Sequence, residues 1–248
     1  MSVLAVIPAR GGSKGISRKN LRCVGPLSLI GWAARTVSEL SWIDRAILST
    51  DDLEMAQEGR SHGLEVPFTR PQALSTDTAT AAATWRHAWL ESENTYSQHF
   101  DISILLQPTT PLRLASDVER TVSMMVDGGH CAAATVSPIP GHFSPEKNLT
   151  IDEHGILKFS HKDGATYTSR QMLQNSYYRN GICYAATRNS LIDNGNIVEA
   201  DCIAVIVDDF TVNIDDPIEL EIAQMLYTKL EHQKNTLNTQ SSENLADS

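Results

Sequence analysis

Six short apolar runs rich in β-branched residues punctuate the chain, each closed by turn formers: Val3–Ile7, Ala46–Ser49, Ile102–Leu106, Ala132–Val136, Ile182–Ala185 and Ile203–Val207. They have strand length rather than helix length, and several are apolar on both faces, as strands covered by helices on both sides must be. Helical patterns fill the gaps. Ile30, Ala33, Ala34, Val37 and Leu40 recur at three- and four-residue spacing within Leu27–Leu40 and give one apolar stripe. Asp51 and Asp52 open a helix over Leu53–Ser61 that Gly63 stops, and Asp77 opens an alanine- and tryptophan-rich helix reaching about Glu91. Ser116 and Glu119 read as a capping box ahead of Val118–Val126, ended by Gly128 and Gly129, and Asp216-Pro217 starts a last helix through about Leu230. This alternation predicts an open α/β sheet, whose ligands bind beyond the carboxyl ends of the strands.

Residues 138–180 break the rhythm. They are rich in Pro, Gly, His, Lys and Ser, with one weak alternating pair around Thr150–Ile151 and Leu157–Phe159, and predict an inserted hairpin excursion of the kind that builds a lid or a subunit interface. From about His232 to Ser248 the chain is polar and unpatterned, which predicts a disordered tail after a single domain over residues 1–231.

The 248 residues are 41% apolar with a net charge of −10, enough to bury a core. That charge is unevenly spread. Residues 1–38 hold six basic side chains (Arg10, Lys14, Arg18, Lys19, Arg22, Arg35) and no acidic one, leaving 14 basic and 30 acidic in the rest. Such a chain is a poor general nucleic-acid binder but is suited to a small polyanion such as a nucleoside triphosphate. No apolar run reaches eighteen residues and the opening MSVLAVIPAR lacks signal-peptide features, so no membrane association and a cytoplasmic location are expected. Cys23, Cys131, Cys183 and Cys202 lie far apart with no CxxC pair, which argues against zinc and offers no disulfide framework.

The strongest local signal is Ala9-Arg10-Gly11-Gly12-Ser13-Lys14-Gly15, directly after the first strand. Glycines at positive φ would turn backbone amides into a concavity for phosphate oxygens, with Arg10, Lys14 and Lys19 adding charge. The segment matches neither the Walker A spacing nor GxGxxG.

Ile7-Pro8-Ala9-Arg10-Gly11-Gly12-Ser13-Lys14-Gly15-Ile16, with Lys19-Asn20-Leu21 behind it, closely resembles the opening of the cytidylyltransferases that activate nine-carbon acidic sugars: the CMP-sialic acid synthetases and their legionaminic and pseudaminic acid relatives. Ser49-Thr50-Asp51-Asp52, Arg70-Pro71 with Leu74 and Asp77, and Leu105-Leu106-Gln107-Pro108-Thr109-Thr110-Pro111-Leu112-Arg113 continue the likeness in order. Arg170-Gln171, Asn180-Gly181 with Tyr184, and Ile214-Asp215 extend it over roughly residues 3–230. The resemblance implies a three-layer, Rossmann-like nucleotide-binding sheet whose insertion helps to form a homodimer. It implies that the anomeric 2-hydroxyl of a nonulosonic acid attacks the α-phosphate of CTP, giving CMP-sugar and pyrophosphate. Positioning and electrostatics supply most of the acceleration in such transfers, so no covalent nucleophile is needed.

By the same resemblance, Arg10 and Lys19 contact the phosphates, Lys19 stabilising transition-state charge, while Gly11, Gly12, Ser13 and Asn20 complete the triphosphate site. Arg70 and the segment from Asp77 through Thr80 to Ala81 lie near base and ribose, with Ala81 where the family places a serine. Gln107, Arg170, Gln171, Asn180 and Tyr184 line the sugar side, where a guanidinium fork suits the sugar carboxylate; Arg179 matches less well. Relatives hold Mg²⁺ (or Mn²⁺) with two aspartates one residue apart. Here the pair is Asn213 and Asp215, making Asp215 the principal expected ligand and leaving Asp216 to cap the last helix. Two further readings stay open: a GTP-using relative, and a nucleotide-binding regulator with weakened catalysis.

Overall fold

The computed structural model describes every residue except 168, 196, 197, 199, 200, 247 and 248, with side chains also left undescribed at 170, 194 and 234–246. In chain order the elements are β1 (Val3–Pro8), β2 (Cys23–Val24), β3 (Leu27–Ser28), α1 (Leu29–Ser38), β4 (Arg45–Ser49), α2 (Leu53–Ser61), α3 (Ala81–Tyr96), β5 (Ile102–Leu105), α4 (Ala115–Asp127), β6 (Ala132–Pro138), β7 (Leu149–Ile151), β8 (Leu157–Phe159), β9 (Tyr177–Thr187), β10 (Cys202–Ile206) and α5 (Pro217–Ala246). The main sheet has the order β10-β6-β9-β5-β1-β4. β4, β1 and β5 run parallel, as do β6 and β10, and β9 is antiparallel to both its neighbours.

Period-two alternation sorts the strand side chains into two cores. Ala5 and Ile7 of β1 and Ile102 and Ile104 of β5 face Ile30, Ala33 and Val37 of α1 and Val118, Val122 and Met125 of α4. Leu4 and Val6 of β1, with Leu105, face Trp85, Ala88 and Trp89 of α3 on the other side. The result is the expected three-layer sandwich. α5 lies apart, packing Ala223 with Val24, Leu29, Trp32 and Ile214 in a third cluster.

β1 is the switch point: the chain leaves it toward β4 on one side and returns to β5 on the other. The loops after β1 and β5 therefore diverge and leave a crevice between them.

Several element boundaries move. Leu27 and Ser28 pair with Val24 and Cys23 instead of opening α1, and the Ser28 hydroxyl caps that helix by accepting from Gly31 N–H. Asp77 does not cap α3; Thr80 does, accepting from Ala83 N–H. The Ser116/Glu119 capping box is not formed, because α4 begins one residue before Ser116 and puts its hydroxyl inside the first turn. β9 is far longer than Ile182–Ala185, since it first pairs with the far end of β6 (Pro138 opposite Tyr177) and then, past a bulge, with both β6 and β5. α5 starts as expected but extends to Ala246 instead of ending near Leu230, with no glycine or proline from 218 to 246 to stop it. The excursion contains the expected hairpin, with Leu149 opposite Phe159 and Ile151 opposite Leu157.

Candidate active site

A cleft of about 480 Å³ opens beyond the carboxyl ends of β1 and β5. The loop after β1 supplies Arg10, Ser13, Lys14, Gly15, Lys19 and Asn20 to its walls, and the loop after β5 supplies Gln107, Pro108 and Thr109. Arg70 and the stretch from Leu74 to Thr84 close one side, and Asn213 and Asp215 close another.

Local interactions hold the β1 loop in place. Ala9 N–H donates to Ser49 O at 3.0 Å, Gly11 N–H to the Asp51 carboxylate at 3.0 Å, and the buried Asn20 amide reaches Arg10 O at 3.5 Å. The expected positive-φ nest is absent. None of Gly11, Gly12 and Gly15 has positive φ, and the left-handed residue of this loop is Arg18, at φ 53°. Two of these glycines answer to close approach instead: a Cβ on Gly11 would come within 3.0 Å of the Asp52 carboxylate, and one on Gly15 would collide with the Asp215 carbonyl oxygen. Gly15 thus lets the β1 loop lie directly against the segment carrying Asp215.

Every cation at the cleft mouth faces a carboxylate. Arg10 and Lys14 both pair with Asp77, at 2.8 and 2.7 Å, and Lys19, only 14% exposed, pairs with Asp215 at 2.8 Å. The Lys14 ammonium and then the Arg10 guanidinium hold the Asp77 carboxyl below the usual carboxylate range. Deeper in, Arg70 is 3% exposed; its Nε donates to Ser75 Oγ at 3.2 Å and its Nη2 lies 3.6 Å from Asp51 without a hydrogen-bond partner. Burial pulls the Arg70 pKa below its ordinary value, and nearby Arg10 adds to this.

On the acidic wall, Asn213 Nδ2 donates to Asp215 Oδ2 at 3.1 Å, while Asn213 Oδ1 is buried without a partner among the described residues. Ile214 N–H donates to Thr109 O at 2.8 Å, fixing this wall to the β5 loop. Asp216 caps α5 as expected: its carboxylate accepts from Glu219 N–H at 3.1 Å, and Glu219 accepts from the Asp215 and Asp216 amides. No cluster of three or more His, Cys, Asp or Glu suited to a metal occurs among the described residues.

The cleft thus gathers Arg10, Ser13, Lys19, Asn20, Arg70, Asp77, Gln107, Asn213 and Asp215. Gly11 and Gly12 belong to the loop but not to the cleft lining, and the Thr80 hydroxyl is committed to its cap. Two expected sugar-side residues lie in the interior. Asn180 is 1% exposed, accepting from Thr135 Oγ1 and donating to Ser137 Oγ, so it fastens β9 to β6. Tyr184 packs in the α3-side core, and burial raises its pKa. Both sit on β9, which pairs with β6 across a register shift between Ala134 and Val136, and neither lines the cleft. Gln171 is exposed on the excursion, outside the cleft lining, and the side chain of Arg170 lies outside the described residues.

Two contributors were not foreseen. Thr84, 5% exposed, lines the cleft one helical turn beyond Ala81, a position that i, i+3 spacing along α3 could have flagged. Arg113 is buried with no carboxylate partner among the described residues; its guanidinium donates to the carbonyls of Gln107, Thr110 and Ile182, tying the Gln107 turn to β9. Burial pushes its pKa down to about 10.

The fold and this cation-lined cleft at its switch point define a nucleotidyltransferase-type α/β enzyme. The cytidylyltransferase family profile matches residues 4–190, and the chain belongs to that family. It is 29% identical to "Post-translational flagellin modification protein B" of Campylobacter coli, over 90% of this chain and 94% of that protein. It is 28% identical to the CMP-N,N'-diacetyllegionaminic acid synthase of Legionella pneumophila, over 91% of this chain and 96% of that protein. The solved structure of CMP:2-keto-3-deoxy-manno-octonic acid synthetase complexed with CTP shares the fold, with a TM-score of 0.69, 18% identity, and coverage of 92% of this chain and 99% of that one.

Proposed function

We propose that this enzyme couples CTP to a nonulosonic acid, releasing pyrophosphate and forming a CMP-sugar. The observation that carries the reading is the placement of Lys19. Its ammonium is nearly buried at the cleft wall, where Arg10, Lys14 and Asp215 also converge. Fixed positive charge in a partly dehydrated cleft stabilises the charge that builds on the phosphates as the leaving pyrophosphate departs. Arg10 and Lys14 hold the outer phosphates, and Gln107 at the end of β5 orients the sugar. The 2-hydroxyl oxygen forms the new bond to the α-phosphorus and loses its proton to solvent, while the bond from that phosphorus to the bridging oxygen breaks and pyrophosphate leaves with the bonding pair.

Asp215 and Asn213 are the residues that would hold Mg²⁺ or Mn²⁺. The Asn213 side chain, whose amide nitrogen meets the Asp215 carboxylate, keeps a buried Oδ1 with no hydrogen-bond partner among the described residues, a neutral oxygen of the kind Mg²⁺ accepts. When bound, the ion would neutralise phosphate charge. The excursion exposes Phe143, Leu149, Ile151, Leu157 and Phe159, a surface that fits a homodimer contact. No helix among the described residues is long and apolar enough to cross a membrane, and a cytoplasmic location suits an enzyme using CTP.

The test is pyrophosphate release with CTP or GTP and a panel of N-acetylneuraminate, legionaminate, pseudaminate and Kdo. Turnover with CTP and a nonulosonic acid is expected. Preference for GTP, or nucleotide binding with no turnover across the panel, would overturn the proposal.

A further inference from the structure

The two ion pairs of Asp77 span the cleft mouth. Arg10 and Lys14 come from the loop after β1, whereas Asp77 lies in the irregular segment between Arg70 and α3, on the opposite wall. One carboxylate oxygen meets each cation, Oδ1 facing Arg10 and Oδ2 facing Lys14, so a single side chain satisfies both positive groups of the outer cradle. The groups remain open to solvent, with side-chain exposures of 34% for Arg10, 81% for Lys14 and 44% for Asp77. A two-oxygen anion bridging two cations occupies the position that two oxygens of a phosphate group would take. Asp77 itself cannot favour a polyanion: beside a triphosphate it would be a like charge.

We infer that Asp77 is the displaceable counterion of the phosphate cradle, a positioning residue that holds Arg10 and Lys14 until a nucleotide binds and then yields them to the phosphates. The inference rests on the proposed use of CTP and gives Asp77 a role other than direct contact with base or ribose. By pairing with both, Asp77 keeps two flexible cationic side chains at the mouth, so their ordering precedes ligand arrival. An arriving phosphate must break two half-exposed pairs, which lowers affinity modestly. The same carboxylate recaptures the cations as pyrophosphate leaves, which favours release.

Binding of inorganic pyrophosphate and of CTP, each measured by titration calorimetry without the sugar, tests this in wild type, Asp77→Asn and Asp77→Glu. Asp77→Asn is expected to tighten both ligands roughly two- to tenfold, the range set by losing competition from two exposed pairs. It should also lower kcat together with KM for CTP, and Asp77→Glu should restore values near wild type. Weaker CTP binding in Asp77→Asn with pyrophosphate binding unchanged would instead make Asp77 a base or ribose contact and overturn the inference. Equal affinities in all three proteins would overturn it as well. Absence of CTP binding by the wild-type protein would defeat the proposed function itself, a separate outcome. Thermal unfolding of each variant shows whether a loss of binding reflects a loss of fold.

Discussion

At the residue scale, charge placement governs the site. Lys19 is 14% exposed and its ammonium pairs with Asp215 at 2.8 Å, which places it at the cleft wall. Lys19→Ala should lower kcat for CTP turnover by about 10²- to 10³-fold, the usual cost of losing one fixed transition-state stabiliser, as steady-state kinetics would show. Asp215→Ala should raise the Mg²⁺ concentration needed for half-maximal turnover; an unchanged Mg²⁺ dependence would remove Asp215 from the metal site. The cationic residues were legible because they cluster in one short glycine-rich loop behind the first strand, where chain order alone fixes proximity. The pairing of Asp77 with them was not: the sequence reads Asp77 as a helix cap and, by resemblance, as a residue near base and ribose, and only the three-dimensional course of residues 70–80 brings it to Arg10 and Lys14.

At the scale of elements, α3 shows how the sheet sets the cleft wall. Trp85 is fully buried against the sheet, and its Nε1 donates to Ser103 Oγ at 2.8 Å, which in turn donates to Leu4 O at 2.9 Å. At the other end of the helix Glu93, 13% exposed, accepts from both Arg188 Nε and Nη2 and from Phe100 N–H, pinning α3 to the start of β5 and the end of β9. Burial pushes the Glu93 carboxyl up, but its hydrogen bonds and the Arg188 charge outweigh this and leave its pKa below the ordinary 4.5. A lowered carboxylate pKa contributes stability above the unfolded value, and that contribution is lost as pH falls through the folded value. Glu93→Gln should therefore destabilise the protein at neutral pH by about 2 kcal/mol in urea unfolding, with the gap to wild type closing as pH drops below 4.5. The layers were legible from period-two strands and period-3.6 helices. The burial of Asn180 and Tyr184 was not, because which way a strand residue points depends on pairing and on the β6–β9 bulge, and a motif read along one chain contains neither. Gly181 sits at the same crossing: its φ of +75° and the nearness of Gln107 Oε1 to its missing Cβ explain the Asn-Gly pair as a close backbone approach.

At the scale of the whole molecule, the uneven charge has a physical destination. Positive side chains from residues 10–19 converge at the cleft, while a net charge of −10 covers the molecule and disfavours bulk polyanions. The hairpin leaves Ile151 and Leu157 70% and 59% exposed, and the proposed homodimer would cover them. Ile151→Glu combined with Leu157→Glu should shift sedimentation from dimer to monomer; a monomeric wild-type protein would end that assignment. The excursion was legible as an interruption of the α/β rhythm, but the exposure of its apolar residues was not, because its alternating pattern is short. The central claim is transfer of the CTP α-phosphorus to a sugar oxygen. Nonulosonic acid carrying ¹⁸O at its anomeric hydroxyl, incubated with CTP, Mg²⁺ and enzyme, tests it by mass spectrometry of the products. The account predicts a CMP-sugar that retains the label and unlabelled pyrophosphate; release of labelled water, or pyrophosphate formed from CTP without any sugar adduct, would contradict it.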